Sequence, residues 1–192
     1  MKFRDIVTRS RSYRRFDTSF RLDDGQLADL VELACYVPSS RNLQPLKYVA
    51  VSNSESCADV FGCLSWAGYL TDWHGPVEHE RPAAYLVMLC DLEIASGAAC
   101  DSGIAAQTIL LGATSMGLGG CIVASVERDR LRSVLGIPDR FAIEFVLALG
   151  KPVEAVVIDQ MREEGDVRYY RDAHGIHHVP KRTIEEVLQQ FR

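Results

Sequence analysis

Between Ile94 and Met116 the chain carries its longest helical pattern, and few folds can accommodate it. At 1.5 Å per residue the stretch would span about 35 Å, the width of a small domain. Small residues occupy several faces: Ala95, Gly97, Ala98, Gly103, Ala105, Ala106, Gly112 and Ala113. Helices approach most closely where the contacting side chains are small, so the pattern predicts a central helix and also suits a subunit contact. This is the richest apolar run in the chain, but Asp101, Gln107 and several Ser, Thr and Gly interrupt it. That argues for a buried helix rather than a membrane span. Gly117 is placed for a left-handed cap. Gly119 and Gly120 go beyond what a cap needs. They allow a backbone to lie against a ligand with no side chain between.

The segments around this helix read as a mixture of helices and strands. Phe3, Ile6 and Val7 give a short amphipathic turn or two. Asp23 and Gln26 form a capping box. Leu27, Leu30, Val31 and Ala34 then fall at helical spacing, on the buried face of a helix that runs out at Pro38. Tyr48–Val51, Ala83–Cys90, Cys121–Ala124 and Ala142–Gly150 predict strands, the first two buried. Ser54 is placed to cap a helix through Phe61, and Ser125 a helix to Leu135 that Gly136 and Pro138 end. The tail reads as irregular and polar until Thr183 and Glu186 open a terminal helix. No repeat and no long linker divides the chain. Residues 1–192 are therefore read as one domain, with an irregular excursion at about 64–80.

A formal net charge of -5, with 47% hydrophobic and 24% charged residues, fits a soluble globular protein. It argues against general nucleic-acid binding, because nothing draws the whole surface toward phosphate. The N-terminus carries Asp5 and leads into no apolar run, so no signal peptide and no membrane attachment are expected. The six cysteines form no C-x-x-C pair and sit mostly inside apolar segments, which predicts reduced thiols in a cytoplasmic protein. His174, His177 and His178 lie close together in the tail. No carboxylate or thiolate stands at regular ligand spacing near them and no zinc template matches, so no metal site is assigned.

Against this acidic background, Arg9, Arg11, Arg14 and Arg15 cluster, with Ser10 and Ser12 between them and Phe16 behind. Such a run is commonly a solvated basic face. Guanidinium with hydroxyl is also the pairing a phosphate prefers. A second candidate is Pro38-Ser39-Ser40-Arg41-Asn42-Leu43-Gln44-Pro45. A proline restricts each end, and the polar groups between could grip the edge of a flat heterocycle. The stretch is equally compatible with a solvated turn-rich loop. Trp66, Tyr69 and Trp73 lie in the excursion, where they either line a substrate pocket or cover the edge of the core. Lys181-Arg182 adds a late basic pair. A dinucleotide fingerprint, a phosphate-binding P-loop and the common hydrolase signatures are missing. No catalytic side chain is assigned, and the pattern suits a protein that leaves its chemistry to a cofactor.

Four motifs in order resemble the nitroreductase family of flavin enzymes: Arg11–Phe16, Pro38–Pro45, Gly117–Gly120 and Leu149–Pro152. The resemblance covers nearly the whole chain from about Ile6. It implies an α+β sandwich with a mostly antiparallel central sheet, helices on both faces, and an intertwined homodimer with FMN at its interface. It also implies that Arg11, Ser12 and Arg14 meet the phosphate and ribityl chain of FMN, with Lys181 and Arg182 completing the phosphate site. Pro38, Ser39, Ser40 and Asn42 would meet the isoalloxazine, often from the partner subunit, and Gly119 and Gly120 would lie beside the ring. Ser10 stands where the family often has the first of two adjacent arginines, a departure that weakens one phosphate contact unless Arg9 replaces it. The implied activity is a ping-pong exchange. NADH or NADPH reduces the flavin and leaves, and a nitroaromatic, quinone or similar flat small molecule then takes the electrons in the same pocket. Arg14 is the candidate cation beside the ring. Family members vary their substrate walls at the excursion, which makes Tyr69 and Trp73 candidates for acceptor contact. The alternative is an FMN-binding protein of the same fold with different redox chemistry or no nicotinamide turnover.

Overall fold

The computed structural model describes residues 1–161 and 165–190. They group into two compact units. The first holds Met1–Trp66 and Gly75–Val153, and the second holds Ala67–His74 and the described residues from Glu154 onward.

The first unit is built on its most apolar strand. β1 (Leu46–Val51) and β2 (Ala84–Asp91) come first in the chain, followed by β3 (Gly119–Val123) and β4 (Phe141–Gly150). β2 is buried along its whole length and shares the middle of the sheet with β4. The order is β1-β2-β4-β3, antiparallel at every junction. β1 is therefore an edge strand, and only Val51 is fully buried in it. The sequence predicts a buried strand there. An edge strand has a neighbour on one side only, so its side chains are covered less.

Helices cover both faces of this sheet. They are α1 (Phe3–Arg9), α2 (Asp24–Cys35), α3 (Ser54–Phe61), α4 (Ala99–Ser115) and α5 (Arg128–Leu135). Ala84, Leu86 and Met88 of β2 join Leu147 and Leu149 of β4 in one core. Leu27 and Leu30 of α2 and Ala105, Ala106, Ile109 and Ala113 of α4 close it. Each fully buried Leu or Ile there contributes about 1.5–3 kcal/mol. Strand alternation turns Tyr85 and Val87 to the opposite face, where α3 packs on β2 and on α5. The mostly antiparallel sheet flanked by helices is the architecture the sequence predicts.

Local rules set most boundaries, and tertiary contacts shift some of them. α2 opens on the predicted box. The Gln26 amide donates to Asp23 Oδ1 at 2.8 Å, and the Asp23 amide to Gln26 Oε1 at 3.2 Å. α3 is capped by Asn53 rather than Ser54, through the Ser56 amide at 2.8 Å. α5 begins at Arg128, later than a cap at Ser125 would set it. The Ser125 carbonyl accepts from the Ser65 amide at 2.9 Å, and Val126 bridges Leu64. α4 begins at Ala99 rather than Ile94, because the amides of Ile94 and Ala95 turn back to the Asp91 carbonyl at 3.0 and 3.1 Å. The Asp91 carboxylate, itself buried, accepts from Arg140 at 2.8 and 2.6 Å, which pins that turn. Gly117, at φ 78°, follows the helix as predicted.

The second unit is a small sheet. β5 (Val156–Gln160) pairs in parallel with β7 (His177–Lys181), and β6 (Tyr170–Arg171) pairs antiparallel with β7. α6 (Ile184–Val187) follows, its start fixed by the Thr183 amide donating to Glu186 Oε2 at 2.7 Å. The sequence predicts an irregular tail before this helix. The sheet corrects that expectation: strands this short carry too little alternation to be read locally. No helix among the described residues is long and apolar enough to cross a membrane.

Candidate functional site

Residues 10–16 run extended beside β3 and the end of β4. Ser12 forms a parallel bridge with Gly120, and the Tyr13 amide donates to the Gly120 carbonyl at 3.0 Å. Phe16 bridges Pro152 and is fully buried, an apolar anchor for the segment. The Asp17 amide donates to the Lys151 carbonyl at 2.8 Å, and the Val153 amide to the Arg15 carbonyl at 3.0 Å. Three of the four motifs, Arg11–Phe16, Gly117–Gly120 and Leu149–Pro152, thus meet at one place.

The arginines of this segment are not a uniformly solvated face. Arg14 is buried, and its Nη1 donates to the Ser12 carbonyl at 3.2 Å. Arg15 makes a two-pronged contact with Glu80, one prong at 2.7 Å, which gives it a structural role. Arg11 is half-buried. Its Nη2 donates to the Val7 carbonyl at 2.8 Å, while its Nε is out of reach of solvent and meets no acceptor among the described residues. The exposed Ser12 hydroxyl has no partner among the described residues either. An inaccessible guanidinium N–H with no acceptor and a hydroxyl donor at adjacent positions are the donor types that an anion site uses.

Gly119 and Gly120 are strand residues, and both are crowded. A Cβ on Gly119 would stand 2.5 Å from Tyr13 Cδ2 and 2.7 Å from Pro152 Cγ. On Gly120 it would stand 2.5 Å from the Ala148 carbonyl oxygen. Packing within the chain is therefore sufficient reason for both glycines. Any contact they make with a ligand must come from the backbone.

The Pro38–Pro45 loop is tied to α4. The buried Asp101 carboxylate accepts from the Ser40 amide, with Oδ1 at 2.9 Å and Oδ2 at 3.1 Å. The Gln44 amide donates to Ser39 Oγ at 3.0 Å, and the Asn42 amide to the Ser39 carbonyl at 2.9 Å. Arg41, Asn42 and Gln44 adopt φ of 50°, 57° and 53°. Left-handed conformations at non-glycine residues cost on the order of 1–3 kcal/mol each, and such strain concentrates where a loop must present groups in one geometry. Pro38, Ser39, Gln44 and Asp101 line a cavity of about 190 Å³ that Tyr48 also bounds. Burial pushes the Tyr48 hydroxyl up to about 12. The sequence reading does not assign Asp101 to this site. The available signal is an acid in the first turn of an otherwise uncharged helix.

The remaining candidates lie in the second unit. Lys181 ends β7 and is exposed; Arg182 Nη1 contacts Glu186 Oε1 at 3.4 Å. Tyr69 packs 4.9 Å from the Tyr169 ring, and Arg171 Cζ stands 4.2 Å from the centroid of the Trp73 ring. Both aromatics thus serve the packing of this unit, and Tyr69 keeps an exposed face. His178 contacts Asp159 at 2.6 Å through Nδ1 and Asp172 at 3.4 Å through Nε2, so carboxylates already occupy both ring nitrogens. Its pKa lies above the ordinary 6.5, chiefly because of the hydrogen bond to Asp159.

Residues 7–62 and 81–151 match the sequence profile of the Nitroreductase family. The NADPH-flavin oxidoreductase of Vibrio harveyi is 28% identical over 165 residues, which are 77% of this chain and 65% of that protein. The chain therefore spans less than two thirds of that relative. Nitroreductase A from Vibrio parahaemolyticus RIMD 2210633 is 29% identical and superposes with a TM-score of 0.63, over 80% of this chain and 69% of that one. An Exiguobacterium sibiricum 255-15 structure described as a nitroreductase in complex with FMN is 19% identical. It superposes with a TM-score of 0.71 over 89% of this chain and 98% of that one, a likeness of fold. The profile covers more than half of the chain and includes the arginine segment, the loop, the glycine pair and Lys151: the chain belongs to the nitroreductase family.

Proposed function

We propose that the chain is an FMN-dependent oxidoreductase that takes electrons from NADH or NADPH by a ping-pong exchange and passes them to a nitroaromatic, quinone or similar flat acceptor. One observation carries this reading. The family-matched arginine segment is fixed against Gly119–Gly120, with the Arg11 Nε and the Ser12 hydroxyl unpartnered among the described residues. The donor set fits a phosphate monoester. Arg11, Ser12 and Arg14 would hold the phosphate and ribityl chain, with Lys181 and Arg182 as the late basic pair. Pro38, Ser39, Ser40 and Asn42 would meet the ring edge, and the backbone of Gly119 and Gly120 its side. FMN, when bound, supplies the electron transfer between donor and acceptor. Arg14 would supply a positive charge to stabilise the negative charge that develops during reduction. Tyr69 and Trp73 are the proposed acceptor wall, and the name of the Vibrio harveyi relative favours NADPH as donor.

The proposed working form is a homodimer in one domain arrangement per chain. The loop is held by α4 through Asp101, while the arginine segment is held by β3 and β4. A loop from one protomer would then face the flavin of its partner. Large exposed apolar side chains on neighbouring helices support such an interface: Phe3 on α1, Tyr36 after α2 and Ile104 on α4.

The test is an anaerobic absorption spectrum of the FMN-loaded protein. The flavin band near ~450 nm should bleach with NADPH or NADH and return when a quinone is added. A flavin that binds yet is bleached by neither nicotinamide leaves the same fold with other redox chemistry. Failure to bind FMN at all removes the reading. Arg11→Ala with Arg14→Ala should weaken FMN binding at least about tenfold, read by flavin fluorescence.

A further inference from the structure

A second cavity lies in the first unit, apart from the arginine segment and the loop. It is a cleft of about 520 Å³ where β2 begins, walled by Arg21, His79, Arg81, Ser52 and Cys57, with Tyr85 at its base. Residues 78–79 of its wall fall outside the stretches that match the family, and the rest of its lining falls inside them.

The donors in this cleft are fixed and unspent. Arg81 lies with Cζ 4.1 Å from the centroid of the Phe61 ring, an arrangement that orients the guanidinium plane. Its Nε is out of reach of solvent, and no N–H of its side chain meets an acceptor among the described residues. Arg21 is held by the carbonyls of Thr18 and Phe20, the second at 3.2 Å, which leaves its other N–H groups available. Tyr85 is 1% exposed, and its hydroxyl has no partner among the described residues. A phenol so deeply buried ordinarily finds one. Burial pushes the Cys57 thiol up to about 11 and the Tyr85 hydroxyl higher still. The charges of Arg21 and Arg81, both of which line the cleft, oppose the shifts of Cys57 and Tyr85 respectively. Two of the lining hydroxyls are otherwise engaged: Ser52 donates to Asp24 at 2.7 Å and Thr18 to the His79 carbonyl at 3.2 Å. Glu78 supplies an acceptor on the same wall.

We propose that this cleft is a binding site for a phosphate monoester of a hydroxylated small molecule. Arg81, Arg21 and the Tyr85 hydroxyl receive the three phosphoryl oxygens. Glu78 repels a second anionic group and accepts from a ligand hydroxyl. The volume exceeds that of a bare phosphate and accommodates a sugar-sized remainder.

The experiment is calorimetric titration of the FMN-loaded protein with ribose 5-phosphate, with ribose and inorganic phosphate as separate arms. Ribose 5-phosphate should bind once per chain, more tightly than inorganic phosphate, and ribose should not bind. Arg81→Ala should weaken binding about tenfold or more, and the nearly isosteric Tyr85→Phe about threefold or more. No heat up to about 10 mM probe would overturn the proposal. So would binding that neither Arg81→Ala nor Tyr85→Phe weakens. Tyr85→Phe keeps the test decisive even where Arg81→Ala fails to fold.

Discussion

Asp101 is the acid on which the geometry of the Pro38–Pro45 loop depends. Its two oxygens share the Ser40 amide, and the residues that follow Ser40 sit in left-handed conformations that need an external hold. Asp101→Ala removes both acceptors and leaves a backbone donor unpaired. Unfolding in urea should show a loss of about 1–3 kcal/mol. Asp101→Asn, which keeps one acceptor, should lose less, and a null effect of Asp101→Ala would mean the loop holds itself. The contrast with Asp23 explains what can be read locally. Asp23 and Gln26 stand three residues apart and form a box that any helix start would form. Asp101 and Ser40 are separated by 61 residues, and only the packing of α4 beside the loop brings them together.

At the scale of elements, the small sheet of the second unit should respond to protonation. His178 on β7 stacks on Tyr170 of β6, with ring centroids 4.8 Å apart, and its two nitrogens face Asp159 of β5 and Asp172. Two carboxylate acceptors require two donors, which only the charged imidazole provides. Hence its pKa is raised above 6.5, chiefly by Asp159 and further by Asp172. Burial pushes the Asp172 carboxyl up, but the amides of Ile176 and His174 and the side chain of His178 together hold it below 3.8. A raised histidine pKa gives stability that is full below 6.5 and is lost as pH rises through the folded value. A depressed carboxyl pKa gives stability present above 3.8 and lost as pH falls through the folded value. The sheet should therefore be firmest between these two limits. Amide exchange of residues 177–181, corrected for the intrinsic pH effect, should be slower at about pH 5.5 than at about pH 8. His178→Gln should erase that difference; its persistence would assign the effect elsewhere. The sheet is illegible in the sequence because β6 has two residues and the β5–β7 pairing is parallel and distant along the chain. β2 and β4, long and continuously apolar, are legible for the opposite reason.

For the whole molecule, assembly is the property most closely coupled to the proposed activity. In the proposed dimer, a loop and an arginine segment that are anchored to different elements would form one site between two copies. Sedimentation at micromolar concentration should show a dimer. Ile104→Asp, at a position 39% exposed on α4, should raise the dimer dissociation constant at least about tenfold and weaken FMN binding with it. A monomeric wild type that binds FMN fully would refute the shared site. By itself the sequence determined the family, the strands of the first unit's sheet, the capping box at Asp23 and the order of the motifs, because each is written in neighbours along the chain or in apolar periodicity. Tertiary structure alone decided that Arg15 is spent on Glu80 while Arg11 keeps a free donor. It also decided that Gly119 and Gly120 are required by Tyr13, Pro152 and Ala148, and that α4 supplies the anchor of the Pro38–Pro45 loop. Those outcomes depend on partners far apart in sequence, and only packing selects among the partners a polar group could take.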